Sequence, residues 1–404
     1  MKTRLNLIQA AFYALLCCAF LAGAYTNIGS WKKLATIPEA RKEITATHIN
    51  GKLYTAGGMD NYRTGGKCCN AKPYFSEYDI ASNKWKNLAP YPTSAQHICQ
   101  VAYKGKLYCF GGYNGSGSYS SQGFTKRCFV YTPSSDSWKE IASAPIGISA
   151  AAGCVYKDKI YIFGGDPNSG FDNAGNKTVY EYDPATDKWS LINKDMPYGR
   201  LHIGVGLIGD KAYISPGRPG GTSSVEQYML DDKVQEFDFT KMNDGAAAWR
   251  VMNPMPGEKR TGYISTWPVV NGKLYYIGGE GKDRGKAKYD LVYEFDPSGG
   301  GGKGSYREVN PYPVEVNGIG PCAVGNKIYV LWIDSYVLTI EGVPTQTAKR
   351  AFSIRSKATS YAKVLRLQSA QSLSGIDYSV NGRIQAGADG AAKGKQLRIL
   401  TPEK

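Results

Sequence analysis

The sequence predicts an all-β chain folded as a six-bladed β-propeller with a short basic C-terminal extension. Three observations predict it. A motif of Lys, an apolar residue, Tyr, two further residues and Gly-Gly, first seen as Asn50-Gly-Lys-Leu-Tyr-Thr-Ala-Gly57-Gly58, recurs about every 53 residues. A repeat of that length with strand patterning is that of a propeller of four-stranded blades. An acidic-aromatic strand, a turn and then a Trp trail most copies. Finally, 48 Gly and 20 Pro in 404 residues mark many tight turns and hence many short strands.

The copies follow in order. The second is Lys104-Gly-Lys-Leu-Tyr-Cys-Phe-Gly111-Gly112 and the third Lys157-Asp-Lys-Ile-Tyr-Ile-Phe-Gly164-Gly165. The fourth, Gly209-Asp-Lys-Ala-Tyr-Ile-Ser-Pro216-Gly217, is degenerate, and a longer step of about 62 residues leads to Asn271-Gly-Lys-Leu-Tyr-Tyr-Ile-Gly278-Gly279. The sixth, Gly325-Asn-Lys-Ile-Tyr-Val-Leu-Trp332, keeps the strand and loses both glycines. Behind them come Tyr78 to Trp85, Tyr131 to Trp138, Tyr182 to Trp189 and Phe237 to Trp249; in the fifth copy Phe295 leads to Tyr306. The Asn-Gly, Lys-Gly and Gly-Asp doublets are hairpin turns. Each Gly-Gly ends a second strand where blades crowd and a side chain would clash, and each Trp packs between adjacent sheets. A propeller must close its ring or leave two sheet edges unpaired. Trp31-Lys32-Lys33-Leu34 has no blade of its own and is expected to complete the sixth. Ala351–Arg355 or Ala362–Arg366 is expected to supply that blade's third strand, so the propeller is assigned to residues 25–366 and the basic Ala/Gly/Ser-rich extension to 367–404.

Residues 1–24 have the layout of a secretory signal peptide: Lys2 and Arg4, an apolar stretch from Ala10 to Ala22, and the small-x-small site Ala22-Gly23-Ala24. The expectation is a secreted, extracellular protein (periplasmic or at the cell surface in a bacterium) with no stable membrane insertion. Seven cysteines then remain, an odd number. Cys68, Cys69, Cys99, Cys109 and Cys128 lie near one another in sequence and are the disulfide candidates for an oxidising compartment. With three His and no CxxC pair, no metal site and no cofactor are expected. The formal charge is +15, but residues 340–404 hold 11 Lys and Arg against 4 Asp and Glu. The basic balance thus sits largely in a tail, and no basic run, helix-turn-helix or zinc-finger spacing points to nucleic acid. In that tail Val380-Asn-Gly-Arg383 is a hairpin signal and Gln396–Leu400 a candidate final strand. The segment Tyr378–Ile384 looks like the hairpin of C-terminal sorting domains in some Gram-negative secretion systems. Asn114 and Asn176 stand in N-glycosylation sequons, relevant only to a eukaryotic secretory route.

The double Gly, the aromatic strand after it and the spaced Trp resemble the kelch repeat over roughly residues 31–340. The resemblance implies six blades closed by an N-terminal outer strand, and structural roles for the repeated Trp, Tyr and Gly. The turns between first and second strands are minimal, whereas the second-to-third loops 59–74, 113–127, 166–178, 218–233 and 280–290 are long, so one face is plain and the other decorated. Function on such scaffolds lives in the decorated loops. Arg41 and Arg200 stand at equivalent positions, 11 residues before a turn Lys, and His97 and His202 at another, 9 residues before one. With Arg260 and Arg284 they are the ligand-binding candidates, because convergent Arg and His can hold a carboxylate, sulfate or phosphate; Glu43 and Glu315 lie nearby, and His48 is expected to pack in the core. Six-bladed secreted kelch proteins of the sialic acid mutarotase type are similar in size. Their acid-base Glu follows a second-strand Gly, which Gly279-Glu280 matches, making Glu280 the catalytic candidate. The Arg expected six residues on is Lys286 here, with Arg284 two residues before it. Galactose oxidase-like copper kelch enzymes need two His, two Tyr and a channel-filling domain absent from this chain. The functional expectation is a non-enzymatic binding module for an extracellular protein or anionic glycan, the alternative a sugar mutarotase.

Overall fold

A computed structural model describes residues 25–60, 70–114, 123–167, 175–192, 194–219, 232–244, 248–257, 265–281, 289–342, 376–378 and 384–386. The chain divides into two compact units, Met1–Val343 and Pro344–Lys404. In the first, six sheets repeat one plan, a four-stranded antiparallel meander, to which blade four adds Ser265–Thr266 parallel to its innermost strand. Blade one is Thr47–Ile49, Lys52–Ala56, Phe75–Asp79 and Lys84–Asn87; blade two is Cys99–Tyr103, Lys106–Phe110, Cys128–Thr132 and Ser137–Ile141. Blade three is Ala152–Tyr156, Lys159–Phe163, Val179–Asp183 and Lys188–Ile192; blade four is Gly204–Ile208, Lys211–Ile214, Lys233–Asp238 and Trp249–Pro254. Blade five is Val269–Val270, Lys273–Ile277, Val292–Asp296 and Ser305–Val309. Blade six has Gly320–Val324, Lys327–Leu331 and Tyr336–Ile340, and its outer strand is Gly29–Lys33, with Trp31 opposite Leu338. This is the expected six-bladed kelch propeller with the expected closure. The third strand of blade six is Tyr336–Ile340, not either later segment, because the chain turns straight back after Leu331.

Strand alternation puts successive side chains on opposite faces, so neighbouring blades share cores. Leu53 packs with Tyr329 and Leu331 of blade six, while the next residue, Tyr54, packs with Leu107, Phe129 and Tyr131 of blade two. The outer-strand aromatics tie each blade to the one before it. The indole N–H groups of Trp85, Trp138, Trp189 and Trp249 donate to the carbonyls of Ala35, Ala89, Ala142 and Lys194 at 2.9–3.0 Å. In blade five the Tyr306 hydroxyl does the same to Asn253 at 3.1 Å, and in blade six Trp31 to Asn310 at 3.2 Å. Tyr306 therefore replaces Trp in kind, and Trp31 marks its strand as a true sixth outer strand.

The double glycines answer to a contact between blades. A Cβ on Gly111 would fall inside the Ile148 carbonyl, and one on Gly278 would lie 2.7 Å from the Val316 oxygen. The amides of the second glycines, Gly58, Gly165 and Gly279, donate to Ala95, Arg200 and Val316 of the next blade at 2.8–2.9 Å.

The disulfide expectation is corrected for three cysteines. Cys99, Cys109 and Cys128 are buried thiols rather than half-cystines. Cys99 and Cys128 both lie opposite Phe110, on strands flanking its own. They are thus two strand spacings apart, about 9–10 Å, beyond the reach of a bridge. Cys109 is paired with Gln100 and Phe129 and points to the other face. Cys154 and Cys322 are also buried thiols. Cys68 and Cys69 lie outside the described residues.

In the second unit Ile376–Tyr378 pairs antiparallel with Ile384–Ala386, the hairpin read from Val380-Asn-Gly-Arg383. Residues 1–24 and 396–400 lie outside the described residues. No helix among the described residues is long and apolar enough to cross a membrane.

Candidate ligand site at the channel mouth

The innermost strands begin after a shared bend. Nine residues before the turn lysine stands a residue with left-handed backbone: Glu43 (φ 57°), His97 (57°), Ala150 (54°), His202 (55°) and Gly318 (63°), in blades one, two, three, four and six. The equivalent residue of blade five, Ile264, is outside the described residues. Among the described residues their amides link successive blades: Glu43 donates to Gly318 at 2.8 Å, His97 to Glu43 at 3.3 Å, Ala150 to His97 at 3.1 Å and His202 to Ala150 at 2.9 Å. These links fix the four side chains and Gly318 about the propeller axis at the decorated end. Non-glycine residues rarely adopt such φ, so the bend is held by these links rather than by local preference.

A second set follows the double glycines and their blade-four counterpart Pro216-Gly217: Tyr113, Asp166, Arg218 and Glu280, the first residue after each pair in blades two to five. The Tyr113 hydroxyl donates to Asp166 Oδ2 at 3.2 Å. Arg218 Nη2 donates to Glu280 Oε1, and Asn317 Nδ2 donates to Oε2 of the same carboxylate at 2.8 Å. His97 Nε2 lies 3.2 Å from Glu43 Oε2, and Lys42 Nζ lies 3.7 Å from Oε1. The His97 ring meets the His202 ring at 4.6 Å and stacks edge-on to Tyr113 at 5.0 Å. All of these residues except Lys42 and Arg218 are buried.

Burial, reinforced by Arg218 and Lys42, pushes the His97 imidazole down to about 3. Burial, then Arg218, holds His202 well below its usual value too. Both rings are therefore neutral at physiological pH, each with a nitrogen lone pair open to a hydrogen-bond donor or a metal ion. Burial pushes the Tyr113 hydroxyl up, and Asp166 adds to that, so it is a donor throughout the ordinary range. The site thus offers carboxylates, neutral imidazoles, a phenol, an amide and two cations converging from different blades, the pattern of a polar ligand site. One ligating atom each from Glu43, His97 and His202 lies within 4.8 Å of the other two.

The structure brings His97, His202 and Glu280 of the expected residues together here. Arg41 and Arg200 are not part of the cluster. Both are 0% exposed. Arg41 donates to the Thr55 carbonyl at 3.3 Å and to Ser76 Oγ at 3.1 Å; Arg200 donates to the Ser215 carbonyl at 3.1 Å and to that of Lys233. The two guanidiniums pin the second and third strands of their blades, a structural use that corrects the ligand-binding expectation for both. Burial lowers Arg41 to about 10 against the pull of Glu39, which leaves it charged. His48 is half-buried and its Nε2 accepts the Gly51 amide at 3.0 Å, a turn contact rather than core packing. Arg260 and Arg284 lie outside the described residues. Glu43, Tyr113, Asp166, Arg218 and Asn317 were not singled out as binding residues. The signal for Glu43 was its register, nine residues before Lys52 as His97 is before Lys106; for the second set it was the shared place after Gly-Gly.

A closed ring of six four-stranded meander blades with its polar cluster at one end of the axis defines a β-propeller of the repeat-built class. The chain belongs to the Kelch-repeat family: the KLHDC2/KLHL20/DRC7 Kelch-repeats domain matches residues 24–217 and 96–331. It is similar to the Kelch-like protein terF of Aspergillus terreus, 27% identical over 266 residues, which is 63% of this chain and 54% of terF. It is also similar to N-acetylneuraminate epimerase 1 of Escherichia coli, 26% identical over 305 residues, covering 65% of this chain and 79% of that protein. The solved structure of YjhT shares the fold, with a TM-score of 0.62 at 19% identity over 76% of this chain and 97% of that one. The chain spans about half the length or less of the kelch-like relatives it matches.

Proposed function

We propose that this chain is a secreted recognition module whose decorated face takes a polar ligand of the acidic-glycan class at the channel mouth. One observation carries the reading: Glu43, Tyr113, Asp166, His97, His202, Arg218, Glu280 and Asn317 converge there from several blades, and three of them, Glu43, His97 and His202, stand at a bend where the fold itself tolerates Ala150 and Gly318. Family membership supports an interaction module. Lys2 and Arg4, the apolar stretch and Ala22-Gly23-Ala24 support an extracellular setting. The arrangement suits hydroxyl and carboxylate groups, which need mixed donors and acceptors held in fixed places.

A second reading is favoured by the similarity to N-acetylneuraminate epimerase 1. Interconverting sugar anomers moves a proton between ring and hydroxyl oxygens, which takes a positioned acid-base group. Glu280, clamped by Arg218 and Asn317, fills that role in this reading.

The test is thermal shift of the chain from Tyr25 against sialic acids, uronic acids, neutral sugars and sulfated glycans. A ligand at 100 times its Kd stabilises by about 2.7 kcal/mol, a shift of several degrees. The expected result is a shift with acidic sugars that Arg218→Ala abolishes, judged against that variant's own unliganded transition. No shift with any of them overturns the small-ligand reading and leaves a macromolecular partner on the loops. For the second reading, anomer exchange followed by NMR at unchanged rate in Glu280→Gln removes Glu280 from the chemistry.

A further inference from the structure

We propose that Glu43, His97 and His202 form a three-ligand site for one divalent transition-metal ion of the zinc class, set in the ring of bends at the channel mouth. The inference is independent of the ligand reading above, since it needs no sugar or protein partner. The donor set comes first. Two imidazoles and one carboxylate from three different blades lie with ligating atoms within 4.8 Å of one another, all three residues buried. The 3.2 Å between His97 Nε2 and Glu43 Oε2 fits two ligands sharing one ion, for which bonds of about 2.0–2.1 Å at a tetrahedral angle give a separation of about 3.3–3.4 Å.

The backbone supplies the second argument. The three residues occupy φ of 55–57°, where Gly or Asn is the easier choice, and blades three and six meet the same bend with Ala150 and Gly318. The fold therefore does not ask for Glu, His and His at this position. Gly318, moreover, makes room for the carboxylate: a Cβ there would lie 2.8 Å from Cδ and Oε1 of Glu43. A third observation is that Nδ1 of His97 is buried without a hydrogen-bond partner. Buried polar atoms are nearly always satisfied, so the contact of Nε2 with Glu43 leaves the other nitrogen of this ring unaccounted for.

The surroundings tolerate a dication. Lys42 stands beside Glu43, and Arg218 acts on both imidazoles, but Glu280 neutralises Arg218 and Asp166 lies on Tyr113, so three carboxylates face two cations. Three protein ligands leave a coordination position open, as in zinc sites that bind or activate a further molecule. The count of three histidines argued against a metal in the linear sequence; ring closure brings two of them onto one carboxylate.

The experiment uses the full untagged chain, stripped with a chelator, equilibrated with Zn2+ or Co2+ and desalted, with no sugar present. The expected result is roughly one ion retained per chain, visible d–d absorption from Co2+, and no displacement by Mg2+, which prefers oxygen ligands. Loss of a ligand should weaken binding more than loss of a group that merely hydrogen-bonds to a ligand does, so Glu43→Gln and His202→Asn are each expected to cost at least about 100-fold in affinity. Asn suits the left-handed bend, and Gln keeps the shape of Glu43; far-UV circular dichroism and the thermal transition verify that each variant folds, and Glu43→Gln decides if His202→Asn does not. Wild-type chain that retains no Zn2+ and gives no Co2+ absorption overturns the site, as does unchanged affinity in the folded variants. A chain that shifts with acidic sugars in chelator yet binds no metal sinks this inference alone.

Discussion

At Gly111 an added methyl group would occupy the Ile148 carbonyl of the next blade, at a φ of 61° that disfavours any side chain. Gly111→Ala is therefore expected to cost about 3 kcal/mol, read as a lowered midpoint in urea unfolding. An effect as small as that of Gly105→Ala, whose Cβ would meet nothing within 4 Å, would show that the blades can part there freely. The comparison matters because Gly105 also has positive φ, 73°, so the difference between the two isolates the contact between blades from backbone preference. At the channel mouth the opposite holds: Glu43, His97 and His202 carry side chains at a bend that Ala150 and Gly318 show needs none.

Within a single blade the buried carboxylate of the third strand organises the sheet. Glu294 accepts from Lys273 Nζ at 3.1 Å, Tyr275 at 2.9 Å and Arg307 at 2.8 Å through both oxygens. Burial alone would raise its pKa, but Arg307, Lys273 and Tyr275 together outweigh burial and hold it below the usual carboxylate value. A lowered folded pKa gives stability that is present above the unfolded value, near 4.5, and lost as pH falls through the folded one. Glu294→Gln is expected to destabilise by about 2 kcal/mol at pH 7, with the gap to wild type closing below about pH 4. Urea unfolding at both pH values reads it; a gap independent of pH would mean that packing, not charge, is what Glu294 contributes. Blade four repeats the device with Glu236, Lys211 and Arg250. These strands were legible because turn lysines, acidic-aromatic strands and Trp recur in register. The third strand of blade six was not, since its Tyr336–Ile340 lacks the acidic-aromatic pattern, and the unpatterned chain beyond it offered competing segments.

Over the whole molecule the stability of the ring depends on a strand contributed from far away in sequence. Gly29–Lys33 covers the edge of Tyr336–Ile340, which would otherwise be an open template for pairing with another chain. Deleting residues 25–33 is expected to give self-association in size-exclusion chromatography with light scattering and a broadened unfolding transition. A monomer unfolding with the wild-type midpoint would show that the ring does not need its closure. The number of blades, the place of the closing strand and the aromatic ties followed from the linear pattern, because repeat periodicity and strand alternation act locally and each copy states them again. Which polar residues share a site did not. Arg41 and His97 sit two positions apart in the same repeat register, yet one points into its blade to bind the Thr55 carbonyl and the Ser76 hydroxyl and the other faces the axis. His97 and His202 come from blades two and four, 105 residues apart, and meet only because the ring closes around a common axis. Likewise Cys99 and Cys128 were near in sequence and are kept apart by the strand of Phe110. The sequence alone determined a closed six-bladed kelch ring, since its pattern is set by contacts between neighbours. The tertiary structure decided the chemistry at its centre, since side chains converge on an axis only after every blade has taken its turn.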